Sequence, residues 1–205
     1  MTELQWKPVI YLPANLTIEF GTSVLAAADP APWSRQKASE VLGPAANRRQ
    51  VDRLTRCLEE YADNFRSEPL PAYAALFFYP DFGHLPPRAM TKVHLVGPDP
   101  VIGPMTLDRA REIFGPDDYS FGETEMTETS VPVGPALRVH RFRTADPAPA
   151  KKRTAIVEEL AWVICPPDSS QAVMMSTKWG EPAFSPAAVT IADDMAKNFR
   201  IEPAR

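Results

Sequence analysis

Residues 153–165 read RTAIVEELAWVIC. The run is long and largely apolar, so it is predicted to be a central strand. Ala155, Val157, Ala161, Val163 and Cys165 share one of its faces. Glu158 and Glu159 interrupt it, one on each face. A carboxylate among Ile156, Leu160 and Trp162 is costly unless it is paired. Adjacent strand residues point apart, so the two glutamates do not converge on one substrate. At least one of them is expected to face a basic neighbour strand. Pro166-Pro167 then stop the ladder, and Asp168-Ser169-Ser170 turn the chain into QAVMMSTKW (171–179), the predicted neighbour.

The pattern extends outward from this strand. GETEMTETSVPV (122–133) is polar and alternating, which suits an exposed edge. ALRVHRFRT (136–144) follows Gly134-Pro135, and a turn there places Glu128 opposite Arg141. Ser185 and Pro186 open a last helix, about 186–199, as cap and first-turn residue. Val189, Ala192, Met195, Ala196 and Phe199 form its apolar stripe. Upstream, Thr106 caps LDRAREIF, with Leu107, Ala110, Ile113 and Phe114 inward. YAALFFYP (73–80) is apolar on both faces, and AMTKVHLV (89–96) is a strand. LTIEF (16–20) and SVLAAA (23–28) read as two short strands or one bent strand. Helices are expected at about 33–42 and 47–66. The second has a stripe of Val51, Leu54, Leu58, Tyr61 and Phe65 at spacings of 3 and 4. Short connections in the last third exclude a parallel βαβ array. The predicted class is α+β, mainly antiparallel sheet flanked by helices, in a single domain 1–205 with the helical segment at about 30–67 as an elaboration.

Composition narrows the function classes. The chain has 205 residues, 44% apolar and 23% charged, with net charge −4. That balance argues against general nucleic-acid binding, which needs a basic surface. No run approaches the roughly 18–20 apolar residues that cross a bilayer. MTELQWKPVIYLP lacks the basic start and apolar run of a signal peptide, so the expected location is cytoplasmic. Cys57 and Cys165 form neither a metal motif nor a disulfide framework and read as buried thiols. Twenty-three prolines fall mostly between apolar runs and mark loops and strand ends.

VPVGPALRVHRFR, the long strand with AWVICP, QAVMMSTKW and a terminal helix ending AKNFRI together resemble the C-terminal half of Mog1/PsbP-like domains. The resemblance covers about 122–201. It implies an antiparallel sheet sandwiched by helices, and a binding or assembly role rather than an enzymatic one. It implies no shared catalytic residues.

Catalytic signals are sparse. Asp81-Phe82-Gly83 lacks the glycine-rich loop, lysine strand and catalytic loop of a kinase, so it reads as a turn. His84, His94 and His140 show no metal-ligand spacing, and no metal or cofactor is expected. Asp193-Asp194 reads as a solvated helix face. The strongest candidate is basic: Arg138, His140, Arg141 and Arg143, with Lys151, Lys152 and Arg153 across the loop TADPAPA. Gathered at one hairpin end, they would bind an acidic partner surface or a phosphate. The bland reading is ordinary cross-strand pairing.

The expectation is a non-enzymatic cytoplasmic protein-binding or assembly module. One alternative is a small-ligand protein or enzyme with a pocket between the sheet and the 33–67 helices, lined by Trp162, Trp179, Tyr73 and Met174-Met175. Another is a homo-oligomer pairing through its edge strand. A pocket with a histidine or carboxylate at its floor would favour the ligand reading. If Cys165 closes a buried strand, a thiol reagent should modify it far more slowly in native than in urea-unfolded protein; equal rates would refute the assignment.

Overall fold

A computed structural model describes residues 6–11, 17–21, 24, 29–67, 72–78, 87–101, 103–144, 156–167 and 169–203. In chain order the elements are β1 (Trp6–Val9), β2 (Thr17–Phe20), α1 (Ala31–Leu42), α2 (Arg48–Arg66), β3 (Ala74–Phe78), β4 (Ala89–Val96), α3 (Leu107–Phe114), β5 (Ser120–Val131), β6 (Gly134–Thr144), β7 (Ile156–Ile164), β8 (Ala172–Trp179), α4 (Ser185–Asn198) and β9 (Arg200–Pro203). They gather into two compact units, Ala14–His94 and Met1–Pro13 with Leu95–Arg205. The class is α+β. No described helix is long and apolar enough to cross a membrane.

In the first unit, β3 pairs antiparallel with both β2 and β4. Asn47 and Gln50 form a reciprocal capping box at the start of α2, which satisfies two otherwise free N–H groups. Leu54, Leu58 and Phe65 of its stripe are buried, and Val51 and Tyr61 pack beside them. Each buried side chain of this size stabilises by roughly 1.5–3 kcal/mol. Phe20 meets Phe77 at 4.8 Å between ring centroids and Trp33 at 4.7 Å, while Tyr61 meets Phe77 at 4.4 Å. The helices are thus one side of a filled core. Among the described residues, these aromatic rings pack where the apolar faces of helix and strand meet. Of 23–28, only Val24 is described, and it is helical rather than extended.

In the second unit, β5, β6, β7 and β8 form an antiparallel run in that order, with β5 at the sheet edge. Two further short strands, β1 and β9, pair antiparallel. The sheet alternation sends Leu137, Val139, Ala161 and Val163 to one face, where they pack with Ala110 and Phe114 of α3. Ile113, expected inward, is exposed. Trp162 and Arg138 face the other way and bond to Asp193 of α4. Asp193 is therefore a partly buried acceptor, not a solvated residue, because α4 turns that side to the sheet. Cys165 packs partly buried beside the α3 cluster, and burial pushes its thiol up from the usual value.

The β5–β6 turn falls at Pro132-Val133, and Gly134 already pairs with Val131. Glu128 consequently stands opposite Leu137 rather than Arg141, and it pairs with Arg111 instead. Gly134 has φ +149°, and a Cβ there would lie 2.8 Å from the Cys165 carbonyl oxygen. Only glycine admits that approach. Gly134→Ala should lower stability by about 1–3 kcal/mol, read as a drop in urea midpoint. Gly180→Ala, where the added Cβ meets open space, should stay within about 0.5 kcal/mol.

Candidate functional site

The two carboxylates of β7 organise the sheet on opposite faces. Glu159 is buried on the α3 face. Its Oε2 accepts from Arg141 Nε at 2.8 Å and its Oε1 from Ser176 Oγ at 2.6 Å. Lys178 Nζ approaches to 3.5 Å and Arg143 to 3.8 Å. Arg141 also donates to the Phe114 carbonyl at the end of α3, with its guanidinium 5.0 Å from the Phe114 ring centroid. A cation at a helix C-terminus complements the carbonyl dipoles there. Burial pushes Glu159 up, but Lys178, the Ser176 hydrogen bond and Arg141 outweigh it and hold the carboxyl below its usual value.

Glu158 lies on the α4 face. Its Oε1 accepts from His140 Nε2 at 2.7 Å and from Ser185 Oγ at 2.8 Å, and its Oε2 from Trp179 Nε1 at 2.8 Å. Ser185 is thus no helix cap: α4 starts at Ser185 itself, and the hydroxyl serves the carboxylate. The serine and histidine both bond to the same glutamate oxygen. A nucleophilic relay needs the serine hydroxyl on the imidazole, and this arrangement does not supply that contact.

Beside Glu158 lies a cleft of about 650 Å³. Strand pairing builds it from one straight row: Phe121 stands opposite Phe142, Phe142 opposite Glu158, and Glu158 opposite Trp179. Between Phe121 and Glu125, β5 advances four positions against two on β6. Gly122, at φ +78°, sits in that bulge. An even advance keeps Phe121 and Glu125 on one face. Ile156, two positions before Glu158, and Gly180 and Pro182, after β8, complete the wall. Phe121, Phe142 and Ile156 are 58%, 42% and 47% exposed, high for side chains of this size grouped around one hollow. A second hollow of about 320 Å³ holds Arg35, Arg48 and Arg56 of α1 and α2, but Asp52 and Glu59 line it too and offset most of the charge.

The basic residues singled out in the sequence do not gather on one face. Arg138 bonds to Asp193 at 3.0 Å, and His140 to Glu158, on the α4 face. Arg141 bonds to Glu159 and Arg143 to Asp117, at 2.9 Å, on the other. Each side chain is held by a carboxylate of the same unit. Lys151, Lys152 and Arg153 lie outside the described residues, as do Asp81, Phe82, Gly83 and His84. Among the aromatics expected to line a pocket, Trp179 does so, in a different place. Trp162 sits under α4, while Met174 and Met175, as strand neighbours, point to opposite faces. Phe121, Phe142 and Ile156 were not singled out. Phe142, between two arginines and two positions from His140, carried the one local signal.

No family model and no curated protein matches the chain. Among solved structures, LpqN of Mycobacterium tuberculosis, described as involved in cell envelope biogenesis, matches at 10% identity and a TM-score of 0.42. The match covers 65% of this chain and 77% of that one. A likeness of that size carries no functional argument.

Glu159 sets a pH dependence. Its folded pKa lies below its unfolded value of about 4.5, so its stabilisation is present above about pH 4.5 and is lost as pH falls through the folded pKa. The urea midpoint should therefore drop as pH falls below about 4.5. Glu159→Gln should be destabilised at neutral pH and show a shallower drop. Arg141→Met should cost about 3 kcal/mol at neutral pH, since it leaves a buried carboxylate short of its closest cation.

Proposed function

We propose that this chain is a non-enzymatic binding module, and that its ligand site is the cleft along the Phe121–Phe142–Glu158–Trp179 row. The observation that carries the reading is the cleft itself: exposed apolar side chains grouped around a buried, oriented carboxylate. Its volume falls within the roughly 300–1,000 Å³ typical of small-molecule sites, which combine apolar walls with a few placed polar groups. A concave wall of this kind suits a small molecule better than a flat protein surface. The resemblance of residues 122–201 to Mog1/PsbP-like domains supports a binding role in the same direction. A protein-assembly role would use the same face, with a partner side chain as the occupant. The shared oxygen of Ser185 and His140 speaks for binding over acyl transfer.

The neutral fluorescent probe N-phenyl-1-naphthylamine should bind saturably at one site per chain. The double variant Phe142→Ser, Ile156→Ser should weaken it about tenfold, or about 1.4 kcal/mol. Both positions are exposed, so the variant should keep the wild-type circular dichroism. Absent binding, or equal binding by a folded double variant, overturns the assignment.

A further inference from the structure

We infer that the cleft selects an organic cation, an amine carried on an apolar or aromatic body. This rests on the reading of the cleft as a ligand site. The charged residues among its described lining are Glu123, Glu125 and Glu158, all carboxylates. They come from two elements. Glu123 and Glu125 are exposed on β5 at the rim, while Glu158 is buried on β7. His140 lies behind Glu158, with Nε2 toward Glu158 and Nδ1 3.8 Å from Glu125.

Glu158 still has capacity. A carboxylate offers about four acceptor sites. His140 and Ser185 take two on Oε1, and Trp179 takes one on Oε2. Among the described residues that leaves one site, on Oε2, which suits one N–H of an ammonium group. The other ammonium hydrogens meet the rim glutamates or water. The aromatic walls add to the preference, since a cation within about 6 Å of a ring centroid is drawn to the ring's negative face. Phe121, Phe142 and Trp179 supply three such rings. An anion of the same shape meets like charge from the three carboxylates of the described lining and loses hydration there.

Three probes with a common phenylbutyl body test this by calorimetry at low salt: 4-phenylbutylamine, 4-phenylbutanol and 5-phenylvalerate. The amine should bind at least tenfold tighter than the alcohol, and the acid more weakly than the alcohol. Salt should narrow the gap, because the rim glutamates are exposed. The folded double variant Glu123→Gln, Glu125→Gln should cut the amine's advantage at least threefold and leave the alcohol unchanged. Equal binding of the three, tightest binding of the acid, or an unchanged advantage in the variant overturns the inference. The alcohol reports the cleft alone: if it binds and the amine gains nothing, only the charge preference fails. If none of the three binds, the inference fails, and the naphthylamine titration shows whether the cleft fails with it.

Discussion

Two carboxylates side by side in a buried strand must leave it on opposite faces, and each needs partners where it arrives. Glu158 and Glu159 impose that constraint on the four-strand run of the second unit. Burying a carboxylate without partners costs more than a whole domain has to spare. Arg141, Ser176 and Lys178 meet Glu159, and His140, Trp179 and Ser185 meet Glu158. These partners come from β6, β8 and α4. Their arrangement fixes the register of β7 against both neighbours, since a one-residue slip would reverse every side chain.

The two faces then diverge in character. On the α3 side the carboxylate is enclosed by cations, and Arg141 ties the sheet to the end of the helix. That is a structural use. On the α4 side the donors are neutral or shared, and one edge of Glu158 borders a hollow. The β5 bulge and Gly122 interrupt the ladder beside it, which is where sheets commonly shape a site. Exposed Phe121, Phe142 and Ile156 give this end of the sheet its apolar wall.

Much of the fold was legible because its signals are local. The stripe of α2, the two-faced apolar run of β3, the Thr106 cap and the four long strands all follow from period and turn chemistry. The opposite placement of Glu158 and Glu159 also follows from strand alternation alone. The β5–β6 turn was placed two residues late because Gly134-Pro135 looks like a turn pair. Gly134 is glycine for another reason, the approach of the Cys165 carbonyl just past β7, and a sequence does not display that contact. Ser185 was read as a cap for the same kind of reason: its tertiary acceptor is 27 positions away.

The candidate site was less legible. Arg138, His140, Arg141 and Arg143 looked like a patch because they are close in sequence, yet alternation divides them between faces and a distant carboxylate holds each one. The amino-acid sequence by itself determined the class, the long strands, the main helices and the need to pair two buried glutamates. Those properties depend on neighbours within a few residues. Only the tertiary structure decided which partners the glutamates take and where a hollow is left. A row running Phe121, Phe142, Glu158, Trp179 crosses four strands, and its alignment is set by hydrogen-bond register and a bulge, not by sequence spacing.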